Sequence, residues 1–199
     1  MAALKVFWLD DEHEKLKPFK VFAKTKGIEL IGFKSVEGMN ELEKNYNLYD
    51  AVLFDAKFFE KESDIAGTEN LSNLPKAMER LSKIPKVFEP FVLTGQAKLY
   101  KDETFSAFVP KYYKKGVSED NENLFKDIKE FALNQVETQI RHEYEEAFEA
   151  FNIGIIPERG ASLLIEIVKC FKAGDFRKKN INLQRDLLEL IFKSLNNPI

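Results

Sequence analysis

The sequence predicts a doubly wound, parallel α/β domain followed by an all-helical region. Three observations predict it. Short apolar runs alternate with stretches of helical periodicity through the first part of the chain. The connections between them are short, which implies parallel strands with helices laid over the sheet. From residue 121 onward the strand-like runs stop and only helical spacing continues.

The elements follow in order. Residues 5–9, an apolar run ending in Asp10-Asp11-Glu12, read as the first strand. Residues 14–26 place Leu16, Phe19, Val21, Phe22 and Ala23 at helical spacing, with Pro18 in the first turn and Gly27 as the stop. Residues 28–33 are the second strand. Ser35 is read as the N-cap of a helix that carries Met39, Leu42 and Tyr46. Residues 50–55 are the third strand, an apolar run of the kind buried on both faces of a parallel sheet, and it ends in Asp55.

Residues 56–70 then form a long polar segment with Lys57, Glu60, Lys61, Glu62, Asp64 and Glu69. Loops of that length in compact domains are usually functional or disordered. This one is read as a long, mobile loop that would lie over a site at the end of the third strand and slow or gate its chemistry. Leu71, Leu74, Ala77, Met78 and Leu81 give a third helix, with Pro75 near its start. Residues 91–94 are a fourth strand ending in Thr94-Gly95. Residues 97–105 are a short helix or an irregular turn. Residues 108–113 are the fifth strand, closed by Lys114-Lys115-Gly116, and Pro110 within it marks a sheet edge.

Beyond residue 121, apolar positions from Leu124 to Phe151 recur every three to five residues with no proline or glycine before Gly154. They form either one long rod or a helix broken near Asn134. Residues 157–171, with Cys170 on the apolar face, and residues 182–195 are two further amphipathic helices. The chain ends at Asn197-Pro198-Ile199 directly after a helix, and a longer natural chain is expected. The domains are read as 1–135 and 136–199.

Composition sets the outer limits. The 199 residues are 44% hydrophobic and 32% charged with a net charge of -3, the balance of a soluble globular protein with no basic surface for nucleic acid. The lone cysteine cannot close an internal disulfide, which favours a reducing compartment. The amino terminus lacks a signal-peptide pattern, and no apolar run approaches the ~20 residues that span a bilayer. A cytoplasmic location is the expectation.

Four of the five strands end in polar groups: Asp10 and Asp11, Asp55, Thr94, and Lys115. In open α/β sheets, ligands bind at that edge. Three crowded carboxylates repel one another unless a cation joins them, and an all-oxygen set suits Mg²⁺. A lysine and a hydroxyl beside them suit a site that receives a phosphoryl group on Asp55.

This ordered set resembles the receiver domain of two-component response regulators, over roughly residues 4–135. The resemblance implies a flavodoxin-like fold with sheet order 2-1-3-4-5 and phosphotransfer to Asp55 from a sensor histidine kinase or phosphotransfer protein. It implies Mg²⁺ held by Asp10, Asp11 and Asp55 with the backbone carbonyl of Lys57. Thr94 would be the switch hydroxyl, Lys115 the site lysine, and Tyr112, on the fifth strand, the switch aromatic. Such a protein is a signalling phosphoacceptor rather than an enzyme, with autophosphatase activity at most. The long helix suggests a homodimer. Three departures from the family pattern stand out: Gly116 follows the lysine where proline is usual, the loop after Asp55 is long and charged, and the fourth helix is poorly defined.

Other readings fall behind. A receiver-like scaffold that is never phosphorylated is the runner-up. An aspartyl-phosphate phosphatase wants a second acid two residues past the nucleophile, and Lys57 stands there. A helical RNase needs Arg and His several residues apart on one face, whereas Arg141 and His142 are adjacent. His13 reads as an exposed residue at a helix start. Arg177-Lys178-Lys179 is a solvated loop, and no basic recognition helix is present for DNA.

Overall fold

The structure, a computed structural model, describes residues 3–96, 103–109, 111–157 and 159–196. The chain divides into two compact units, Ala3–Leu133 and a second one from Asn134 onward. The first unit holds β1 (Leu4–Leu9), α1 (Lys17–Thr25), β2 (Ile28–Phe33), α2 (Met39–Asn45), β3 (Ala51–Phe54), α3 (Asn73–Ser82), β4 (Pro90–Thr94), α4 (Glu103–Phe108), β5 (Tyr113–Lys114) and α5 (Ser118–Leu133). The five strands are parallel, in the order β2-β1-β3-β4-β5. That is the doubly wound, flavodoxin-like order, whose switch point lies between β1 and β3.

Apolar residues without alternation mean burial on both faces, and the central strands obey this. Val6, Phe7, Trp8 and Leu9 are all fully buried, as are Ala51 to Phe54. Val6, Trp8 and Leu53 join Leu124, Phe125 and Ile128 of α5 in one core, closed by Phe19 and Phe22 of α1. The alternate residues face the other way: Phe7 stacks on Phe33 and meets Tyr49 edge-on, and Phe54 packs beside Phe58. Each such side chain contributes ~1.5–3 kcal/mol by leaving water, so the two middle strands anchor the unit.

Several local expectations are corrected. Residues 11–15 are a turn, and α1 begins only at Lys17, with Pro18 in its first turn. Ser35 caps nothing with its side chain; it is extended, precedes a short 3₁₀ turn at Val36–Gly38, and its hydroxyl donates to Glu62 Oε1 at 2.6 Å. The fifth strand is not 108–113. Phe108 ends α4, and β5 is only Tyr113–Lys114, paired with Leu93 and Thr94. Tyr112 therefore precedes the strand. Pro110 lies outside the described residues, as do residues 97–102 of the weak stretch and Asn197, Pro198 and Ile199.

The segment 56–70 is anchored along its length. Phe58 and Phe59 are buried, and bridges join Ser35 to Phe59 and Phe58 to Asn70. Asn73, itself buried, donates from Nδ2 to the Phe58 carbonyl at 2.8 Å. Asp64 Oδ2 accepts from the backbone N–H groups of Glu60 and Lys61, and Lys34 and Lys76 pair with Glu62 and Glu60. Its polar composition hides two aromatic residues that belong to the core.

The second unit contains α6 (Val136–Glu143), α7 (Glu145–Asn152), α8 (Arg159–Lys172) and α9 (Lys178–Asn196). The sequence leaves open a rod or a break near Asn134; the break is there, and a second one falls at Tyr144. The rod assigned to a homodimer does not form. A Cβ on Gly160 would lie 2.6 Å from Phe151 and 3.1 Å from Leu190, so glycine lets α7, α8 and α9 approach closely. Among the described residues, no helix is long and apolar enough to cross a membrane.

Candidate functional site

Backbone hydrogen bonds set the site. The Asp10 N–H donates to the Phe33 carbonyl at 2.8 Å, and the Asp55 N–H donates to the Leu9 carbonyl at 2.7 Å. These bonds carry the β1–β2 and β3–β1 ladders one residue past the strand ends. They put Asp10 and Asp55 side by side at the carboxyl edge. On the other flank the Lys115 N–H donates to the Thr94 carbonyl at 2.9 Å, which seats Lys115 next to the same edge.

Asp10, Asp11 and Asp55 each offer a carboxylate oxygen, and those oxygens all lie within 4.8 Å of one another. Lys115 Nζ sits 2.7 Å from Asp55 Oδ2 and 2.8 Å from Asp10 Oδ2. Asp55 Oδ1 accepts the Ala56 N–H at 2.7 Å, and Asp10 Oδ1 accepts the Glu12 N–H at 2.9 Å. Among the described residues, Asp10 Oδ2 is buried and receives no well-directed hydrogen bond, and Lys115 is its ion-pair partner.

Burial dominates the electrostatics. It pushes the Asp55 carboxyl up to about 7 against the pull of Lys115, and Asp10 adds to the rise. Asp11 is raised to about 6, first by burial and then by Asp10, with Glu69 adding a further negative charge. Lys115 is raised by Asp55 and Asp10 although its own burial works against it. Among the described residues, Lys115 pairs with two of the three carboxylates, and a divalent cation fits the deficit. The donor set is all oxygen, as Mg²⁺ prefers.

The remaining predicted residues fall as follows. Thr94 is fully buried at the end of β4, and its Oγ1 accepts the Gln96 N–H at 3.1 Å. Lys57 occupies the bend directly after Asp55. Tyr112 packs its ring on Phe105 of α4, with centroids 5.6 Å apart. Gly116 has φ +80°, a conformation closed to proline, whose ring holds φ near −65°. The turn from β5 to α5 therefore differs in backbone from a Lys-Pro turn.

His13 is not one of the clustered groups, although Asp10 acts on it. It is half-buried rather than exposed, edge-on to Trp8, with Lys20 Nζ 3.4 Å from Nδ1; burial and then Lys20 lower its pKa. Arg141 and His142 fall in the last turn of α6, and Cys170 is half-buried in α8. Sequence reasoning missed the influence of Glu69 on Asp11. No spacing rule announces it, because the two meet only through the fold of segment 56–70.

No protein-family model matches the chain, and no curated protein matches it in sequence. Solved structures resemble it in fold. One is a response regulator receiver domain protein from Clostridium thermocellum, at 24% identity and TM-score 0.48, covering 66% of this chain and 94% of that one. Another is a CheY-like receiver domain protein from Methanospirillum hungatei, at 22% identity and TM-score 0.46, with the same coverage. A receiver protein from Sinorhizobium medicae matches at 16% identity and TM-score 0.46, over 66% of this chain and 96% of that one. In fold, the chain is similar to CheY-like receiver domains; the hydrogen-bonded sheet itself fixes the strand order.

Proposed function

We propose that the chain is a phosphoacceptor in two-component signalling, taking a phosphoryl group on Asp55 from a sensor histidine kinase or a phosphotransfer protein. The observation that carries this reading is the cluster of Asp10, Asp11 and Asp55 oxygens within 4.8 Å, with Lys115 paired to two of the three. In the transfer, an Asp55 oxygen bonds to phosphorus as the P–N bond of the donor phosphohistidine breaks, and the bonding pair leaves on the imidazole nitrogen. Asp10, Asp11 and Asp55, with the Lys57 carbonyl, would hold Mg²⁺, which supplies positive charge to the phosphoryl oxygens. Lys115 would follow the new phosphoryl oxygens. Thr94 would give its hydroxyl to one of them, and Tyr112 would respond on the α4 side. In this reading residues 1–135 receive the signal and residues 136–199 pass it on, in a cytoplasmic protein.

The test is incubation with acetyl phosphate and Mg²⁺, read by intact-protein mass spectrometry. One added phosphoryl group is expected, absent in Asp55→Asn and absent in EDTA. No mass shift at any Mg²⁺ concentration refutes the reading and leaves a receiver-like interaction scaffold.

A further inference from the structure

We propose that the outer face of α9 pairs with the same face of a second copy of this chain, antiparallel about a two-fold axis at Leu188. α9 is 19 residues long. One face turns inward through buried Asn180 and Leu190. The opposite face is apolar too: Ile181, Leu188, Phe192 and Leu195 are 61%, 54%, 60% and 63% exposed. At 3.6 residues per turn these four fall within about 60° around the axis, so they form one continuous stripe. Single exposed apolar residues are ordinary, whereas a contiguous patch marks an interaction surface. Ile181, Leu188 and Leu195 also recur at the seven-residue interval that keeps a helix seam facing its partner.

Ile181, Leu188 and Leu195 map onto one another while Phe192 faces Gln184, and the charges beside the stripe select the partner. With Leu188 on the axis, Ile181 of one copy lies opposite Leu195 of the other, and both ends are covered together. Arg185 and Glu189 flank one edge of the stripe. In an antiparallel pair like edges face each other, so Arg185 of each copy comes within about 3 Å, measured along the axis, of Glu189 of the other. Opposite charges meet twice. A parallel pair would set the same two residues against the other edge, where Gln184, Leu187 and Ile191 carry no charge. The partners these side chains have now are exposed and long: Asp186 at 3.5 Å from Arg185, and Lys193 at 3.4 Å from Glu189. Such pairs are worth little and give way readily. A helix about 28 Å long covers less than a full-sized interface, so the dimer is weak and concentration-dependent.

This pairing stands on α9 alone and is independent of phosphorylation. Sedimentation equilibrium of the full chain, from low micromolar to submillimolar, is expected to show mass rising from monomer toward dimer. Leu188→Glu, at an exposed position, abolishes the rise. Arg185→Glu and Glu189→Arg each weaken it by about tenfold, turning two attractions into repulsions. The double variant Arg185→Glu/Glu189→Arg restores it. Circular dichroism checks that each variant keeps its helix content, and the charge swap still decides if Leu188→Glu does not fold. A monomer at every concentration overturns the proposal. So does a dimer indifferent to Leu188→Glu, or a double variant that stays as weak as the singles.

Discussion

Asp55→Asn is expected to stabilise the metal-free protein at alkaline pH. The Asp55 carboxyl has a pKa raised from its ordinary 3.8 to about 7, chiefly because burial strips the charged form of water. A carboxyl that binds its proton more tightly in the folded chain makes folding less favourable as pH rises through that window, and its cost is complete above about 7. At ~1.4 kcal/mol per tenfold change in proton affinity, the ionised group costs on the order of 4 kcal/mol. Asparagine keeps the shape without the charge, and Lys115 retains Asp10 as its partner at 2.8 Å. We expect a gain of about 2–4 kcal/mol at pH 8, shrinking toward zero by about pH 3, below the ordinary 3.8, where both folded and unfolded wild-type chains carry the proton. Urea denaturation in EDTA at the two pH values measures it. Added Mg²⁺ should narrow the gap at pH 8 by stabilising only the wild type. If Asp55→Asn unfolds at the same or a lower urea midpoint at pH 8, burial is not what governs this carboxyl.

Three further outcomes are expected. Lys115→Met removes the cation shared by Asp10 and Asp55; the melting point at pH 8 in EDTA should fall by the equivalent of about 3 kcal/mol, below the full cost of a bare buried charge because Asp55 can take up a proton. Asn73→Ala deletes one of two hydrogen bonds to the Phe58 carbonyl, which still accepts the Asn70 N–H at 3.3 Å, so it should cost about 0.5–1.5 kcal/mol; hydrogen exchange should accelerate in residues 56–70 more than in β1. Gly116→Ala meets no atom within 4 Å but must hold φ +80°, so it should cost about 1–2 kcal/mol from backbone strain alone, read as a lower urea midpoint with the sheet signal unchanged.

The alternation of apolar runs and helical spacing was enough to read the α/β class, because strands buried on both faces leave no other pattern. The ends of β1, β3 and β4 were legible for the same reason: Asp10, Asp55 and Thr94 each interrupt an apolar run. The fifth strand was not. Its two residues are too few to show a period, and Tyr113 is buried while Lys114 is not. Segment 56–70 misled by composition. Phe58 and Phe59 were its only strong signal, and they sit among charges that tether the chain around them. The helix after residue 121 shows why periodicity cannot place a break: apolar spacing runs on through Asn134 and Tyr144, although the backbone turns at both.

The sequence by itself determined which carboxylates end which strands, since side-chain polarity is a local property and a buried strand tolerates a charge only at its mouth. Only the tertiary structure decided that Lys115 bridges Asp10 and Asp55, that Glu69 bears on Asp11, and that one face of α9 stays in water. Those facts depend on distances between residues far apart in the chain, and on which of two apolar faces of a helix finds a partner.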